Sequence, residues 1–301
     1  MNKVVMSLAA LMISAAPAFA ADMPVKALKA PVAAPSPWDV AFGTAFTTDY
    51  NLRGVSQSNY KPAVQGYFEI DYTATDWVKF YAGIWGSSLW TGLANAEFDI
   101  TAGARFTFGN FGLDLGYINY QYPGGFVNSI GNYGEVYAKP SYKFNDWLTV
   151  GGVFEYGLGD YNGKTCNSGG TGGCISPTAN VWVGDAQHYF YSGNATITLP
   201  QWMPWGITTS INGEVGYEYY SSGINTNLGF SSDTYWDVGL IFNLKAITLD
   251  LRYYDTNIRN PTIPVVPGGV GGQCVNAGAG NFCSSRFVAT LKFDTTWSAL
   301  K

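Results

Sequence analysis

Between Ala96 and Phe108 the side chains alternate without a break. Ala96, Phe98, Ile100, Ala102, Ala104, Phe106 and Phe108 stand against Glu97, Asp99, Thr101, Gly103, Arg105 and Thr107. Successive side chains of a strand point to opposite faces, so this period of two makes one face apolar and the other polar. The run is about twice the usual five or six residues of a globular strand. A similar run opens at Trp38, where Trp38, Val40, Phe42, Thr44, Phe46, Thr48 and Tyr50 oppose Asp39, Ala41, Gly43, Ala45, Thr47 and Asp49. Further apolar faces begin at Val64, Val78, Phe111, Val136, Leu148, Tyr189, Ile207, Trp236, Ile247 and Phe287, which makes twelve strands.

The links between these strands alternate in length. Short ones fall at 73–76, 109–110, 145–146, 199–206 and 245–246, and long ones at 51–60, 86–95, 121–132, 157–185, 220–233 and 256–285. Short periplasmic turns facing long outer loops, on an even number of strands, are what an outer-membrane barrel requires. Hydrocarbon offers no water to backbone N–H and C=O groups, so a sheet crosses it only by closing on itself. The expected fold is therefore all-β: a transmembrane, antiparallel, up-and-down β-barrel of about twelve strands.

Composition agrees. Only 12% of residues are charged, 16% are aromatic and 37 are glycine, against about 25% charged in soluble domains. Lys3, the apolar run from Val4 to Ala16 and the small-x-small site Ala18-Phe19-Ala20 read as a cleaved signal peptide over residues 1–20. That run is too short for a spanning helix, which needs roughly 18 apolar residues or more. Residues 21–37, rich in Ala and Pro and without a period, read as a periplasmic tail, and the barrel occupies 38–301. Loss of Lys3 with the signal leaves 15 basic residues against 21 acidic ones, a balance that excludes nucleic acid as a partner. The expected partners are outer-membrane lipid and small hydrophilic solutes or ions, in the bacterial outer membrane. Aromatic girdles are expected at both ends: Trp38, Trp77, Trp147, Trp202 and Trp205 on the short-link side, and Tyr50, Tyr120, Tyr122, Tyr156, Tyr219, Tyr220, Tyr235 and Trp236 on the other.

Four cysteines, Cys166, Cys174, Cys274 and Cys283, lie in the two longest outer loops of an exported chain. Three pairings are possible. The local ones, Cys166 with Cys174 and Cys274 with Cys283, close the shortest loops. With His188 the only histidine, no metal site is expected and no cofactor is implied.

Strand phase sorts the remaining charges. On the lumen side fall the acids Asp39, Asp49, Glu69, Asp71, Glu97, Asp99, Asp114, Glu135, Glu155, Glu214, Glu218, Asp237 and Asp250, and the bases Lys79, Arg105, Lys139, Lys143, Arg252 and Lys292. That is thirteen acids against six bases, and carboxylate-lined pores favour cations. Tyr81 and Trp85 share this face. Where the first strand meets its loop, Arg53 is placed to fold back onto Asp49, Glu97 or Asp99, with Gly54 allowing the bend. Such a pair either narrows the pore mouth or simply anchors the loop.

The stretch Thr47-Thr48-Asp49-Tyr50-Asn51-Leu52-Arg53-Gly54-Val55-Ser56-Gln57-Ser58 resembles the opening motif of the TorF-family putative porins, an S-D-Y-x-x-R-G-x-S-Q pattern. Residues 80–88, 97–103 and 120–124 extend the likeness. It departs at Thr48, where the motif has Ser, and in the cysteine loops. The resemblance implies an outer-membrane porin.

An enzymatic barrel is the rival class. A lipase needs a serine activated by histidine, and Ser192, four residues beyond His188 on one strand, stands roughly 13 Å away by strand rise; Ser141 and Ser210 are the alternatives on other strands. Asp160-Tyr161-Asn162-Gly163 lacks the glutamate of a calcium loop, and the glycine runs 169–173 and 268–272 lack the Lys-Ser/Thr of a phosphate loop. The function expected is a passive channel with modest cation preference, and the alternative is a structural or adhesive barrel without an open pore.

Overall fold

The computed structural model describes residues 36–90, 94–123, 133–158, 188–221, 231–258, 274–276 and 280–301. The signal peptide, most of the tail, Cys166 with Cys174, the Asp160 turn and both glycine runs lie outside the described residues.

In chain order the strands are β1 (Trp38–Thr47), β2 (Asn51–Leu52), β3 (Val55–Ser56), β4 (Ala63–Thr75), β5 (Val78–Ser88), β6 (Ala96–Phe108), β7 (Phe111–Gln121), β8 (Tyr133–Lys143), β9 (Leu148–Leu158), β10 (His188–Thr198), β11 (Thr208–Tyr220), β12 (Asp233–Leu244), β13 (Ile247–Thr256), β14 (Val275–Asn276), β15 (Gly280–Asn281) and β16 (Arg286–Thr296). Twelve of them, β1, β4 to β13 and β16, form one closed antiparallel barrel. Closure is made by β1, which pairs with β4 on one edge and with β16 on the other, from Ala41 opposite Thr296 to Thr47 opposite Thr290. No barrel strand is left with an unpaired edge, which is what allows the sheet to sit in lipid. The two small ribbons, β2–β3 and β14–β15, stand apart from the barrel sheet.

The predicted phase is the observed one. Phe46, Phe68, Ile70, Phe80, Ile84, Phe98 and Ile100 are exposed on the outside, whereas Asp71, Tyr81, Glu97, Asp99, Glu135 and Asp237 are buried within. A soluble protein rarely exposes so continuous an apolar belt, and here the belt meets lipid. The protein is a bacterial outer-membrane barrel. At the short-link end Trp38, Trp77, Trp147, Trp202 and Trp205 are all exposed, as a girdle requires.

Two expectations are corrected. β1 does not run on to Tyr50 but ends at Thr47, because Asp49 accepts hydrogen bonds from Ser56 Oγ (2.5 Å) and Ser58 Oγ (2.7 Å) and turns the chain inward. The outer girdle is also thinner than expected. Tyr50, Tyr120 and Tyr235 are buried inside the barrel, Tyr220 stacks on His188, and Tyr122 packs against the cluster around Tyr50. All but Tyr50, which follows the end of β1, share the phase of the carboxylates, and the hydroxyls of Tyr50, Tyr120 and Tyr235 donate to Glu97, Glu135 and Glu214. On the lipid side the girdle keeps the expected Tyr219, stacked on Tyr189 (4.6 Å), and Trp236, in series with Tyr253 and Phe287 (5.2 and 5.0 Å).

A charge at mid-height on the lipid face is the sharpest test of this orientation. Leu115→Arg is expected to destabilise the barrel by about 2–4 kcal/mol in denaturant titrations in lipid vesicles, whereas Thr101→Lys, on the lumen phase, has little effect. A larger loss from Thr101→Lys than from Leu115→Arg would mean the faces are inverted.

Candidate functional site

The segment between β1 and β4, residues 48–62, does not stand away from the barrel. It folds into the mouth as a strap. Its base is fixed by Asp49, which also accepts from Arg286 Nη1 on β16 at 3.2 Å. Its tip is the β2–β3 hairpin, whose two central residues both have positive φ, Arg53 at 49° and Gly54 at 84°. This is the geometry that lets a two-residue turn follow the twist of its strands. Gly54 is required for space as well, since a Cβ there would lie 2.9 Å from Tyr235 Cβ and Thr256 Cβ. The Asn51 side chain braces the turn by accepting from Gly54 N at 3.0 Å.

In the ring of twelve strands the position opposite β1 is β9. Five extended residues reach about 17 Å, and the long Arg53 side chain completes the crossing. It meets the far wall. Its Nη1 donates to Glu218 Oε1 on β11 at 2.5 Å and its Nη2 to Glu135 Oε2 on β8 at 3.1 Å and to Glu155 Oε2 on β9. Its Cζ sits over the Phe190 ring of β10, 4.3 Å from the centroid. Burial by itself pulls the Arg53 pKa down, but Glu135, Glu218 and Glu155 more than reverse this and hold it well above the ordinary value. Tyr120 Oη donates to Glu135 Oε2 at 2.9 Å, and Lys139 Nζ lies 3.3 Å from Glu155 Oε1. The expected partners of Arg53 are thus corrected: Asp49 holds the strap's own base, and Glu97, fully buried, accepts from Tyr50 Oη at 3.1 Å beside the buried Asp99.

The single histidine belongs to the same cluster. His188 Nε2 lies 2.8 Å from Glu218 Oε1 and Nδ1 3.2 Å from Glu135 Oε1, so both ring nitrogens face carboxylates. Phe190 and His188 were legible only as lumen-phase residues of β10, and an apolar ring on an otherwise polar phase was the one signal available for Phe190.

Below the strap the lumen is divided between two further networks. On one wall Arg105 grips Glu69 with both Nη atoms (2.6 and 2.9 Å), reaches Asp114 through Nε at 3.2 Å, and lies over the Tyr81 ring. Lys79 pairs with Asp71 at 3.4 Å. Tyr81 Oη donates to Asp114 at 2.6 Å and also bonds Tyr137 Oη; a Cβ at Gly116 would stand 2.5 Å from the Tyr137 ring, so glycine makes room for that meeting. On another wall Arg252 pairs with Asp237 and, at 3.1 Å, with Asp250, and Tyr235 Oη donates to Glu214 at 2.5 Å. Trp85 lines a cavity of about 170 Å³ with Gln65, Tyr67, Lys292 and Asp294.

Cys274 and Cys283 form a disulfide with Cα atoms 5.3 Å apart. They pack with Val55, Ile258 and Phe282, so this loop rests on the strap, and Phe282 O accepts from Ser56 N at 2.8 Å.

The strap is held by polar contacts at its base as much as at its tip. Arg53 is buried, so trypsin is expected to spare it in the folded protein, and Asp49→Ala is expected to raise cleavage after Arg53 by about tenfold or more, as local opening falls by some 1.4 kcal/mol. Unchanged cleavage would show that Asp49 does not hold the strap.

Residues 32–270 match a family described as bacterial proteins of unknown function (Gcw_chp). No curated protein sequence matches. Among solved structures, a chain from a study of in-meso crystallization of membrane proteins aligns at a TM-score of 0.49 and 9% identity, covering 87% of this chain and 84% of that one. An outer membrane channel from Pseudomonas putida F1 aligns at 0.46 and 11%, covering 90% and 100%, and the KdgM porin at 0.45 and 9%, covering 85% and 98%.

Proposed function

We propose that this chain, which belongs to the Gcw_chp family of bacterial proteins of unknown function, is an outer-membrane channel for passive diffusion of small hydrophilic solutes, with a modest preference for cations. The observation that carries this reading is the charge of the interior. Asp233 and Asp294 join the thirteen acids of the lumen phase, and Arg53 and Arg286 join the six bases, so the acidic excess remains seven. Low-dielectric walls focus such a field on a passing ion. Much of the charge is paired in the networks of Arg53, Arg105 and Arg252, which keeps the preference modest. The likeness of residues 47–58 to TorF-family putative porins supports the same reading. In it, residues 1–20 are the export signal, 21–37 a periplasmic tail, and Cys166 pairs with Cys174.

A second reading is favoured by the strap itself. Arg53, Glu97, Glu135, Glu155, Glu218 and Asp233 are all buried at the mouth, and a barrel shut there for good has a structural role only.

Reversal potentials across a potassium chloride gradient in planar bilayers separate the cases. Cation selectivity that weakens with rising salt is expected; anion selectivity would overturn the lumen assignment. Absence of conductance in both the wild type and Arg53→Ala would leave the structural reading.

A further inference from the structure

We infer that the far-wall cage around Arg53 is a binding site for small organic cations of the guanidinium class, occupied in this structure by the protein's own strap. The cage is built entirely from barrel strands: Glu135 from β8, Glu155 from β9, Phe190 from β10 and Glu218 from β11. Carboxylates spread around a planar fork, with an aromatic face at 4.3 Å, are what recognises a guanidinium rather than a simple ion. Among the described residues no cluster of His, Cys, Asp and Glu has the geometry to hold a metal.

The guest, by contrast, is the tip of a hairpin with two residues per strand, held in a backbone conformation that side chains other than glycine rarely adopt. The walls are barrel strands paired on both edges, and the occupant is a tethered hairpin. The cage is rich in acceptors. Its three carboxylates face the two cations Arg53 and Lys139, together with the His188 ring. Glu135 Oε1 and His188 Nδ1, both buried, face each other at 3.2 Å without a well-formed hydrogen bond. With Arg53 withdrawn, the three carboxylates would keep only Lys139 and His188 as partners, and their mutual repulsion favours entry of another cation. A solute guanidinium satisfies the same groups as Arg53 and displaces the strap by its preference for the vacated cage. Occupancy is thereby coupled to opening of the mouth, and this route rests on the channel reading above.

Calorimetric titration of the purified barrel with methylguanidine tests the site, with urea as the neutral planar fork. Arg53→Ala is expected to bind methylguanidine about tenfold more tightly than the wild type, or better, and to ignore urea. Adding Phe190→Leu or Glu218→Gln to that variant is expected to weaken binding by a similar factor. If Arg53→Ala fails to fold, Arg53→Lys, which offers no fork, is expected to show the same contrast in smaller size. Equal affinity in variant and wild type, or equal binding of urea, would overturn the assignment. Conductance of the same preparations keeps the two ideas distinct: binding without conductance sustains the site and removes the channel, whereas conductance without binding does the reverse.

Discussion

Closure of the sheet between β1 and β16 is the constraint on which everything else depends. Until that seam forms, two strand edges present unpaired backbone groups to hydrocarbon, at a cost of several kcal/mol for each group. Once it forms, the barrel needs no apolar interior. The inner face is released for charge, and the chain uses it: the interior of the described barrel holds Arg105, Arg252 and their carboxylate partners, and the apolar clusters are confined to the strap and its neighbours at the mouth.

The same closure gives the strap its meaning. In an open sheet β1 and β9 lie far apart; in a ring of twelve they face each other. A segment rooted beside β1 and extended over about five residues therefore arrives where Glu135, Glu155 and Glu218 converge. Buried ionic networks contribute little net stability, because desolvation opposes the Coulomb gain, yet removal of one partner is costly. Such a network defines a geometry more than it strengthens a fold, which suits a contact between a wall of paired barrel strands and a short tethered hairpin.

Most of the fold was legible because the lipid face imposes a period that soluble strands do not sustain. The run from Ala96 to Phe108 was read over its full length, and Glu69, Asp71, Lys79, Tyr81, Trp85, Glu97, Asp99, Arg105, Glu135, Lys139, Glu214 and Arg252 were placed on the lumen phase from that period alone. Phase says which way a side chain points but not whom it meets. The partners of Arg53 lie 82, 102 and 165 residues away, and only the closed ring brings them together. Tyrosines near strand ends were ambiguous for another reason: their amphipathic rings suit both a lipid interface and a buried carboxylate. Tyr120 took the second role because its phase already pointed inward, and Tyr50 because the chain leaves β1 at Thr47 and turns into the mouth before reaching it.

The guanidinium of Arg53 crosses the mouth to the far wall. Solid-state nuclear magnetic resonance in lipid, measuring distances from its terminal nitrogens to the carboxyl carbons of Glu135, Glu155 and Glu218, tests this crossing directly. Separations of about 3.5–4 Å, those of charge-assisted pairs, are expected. Strong contacts to the carboxyl carbons of Asp49, Glu97 or Asp99 instead would place the strap along its own wall and contradict the crossing.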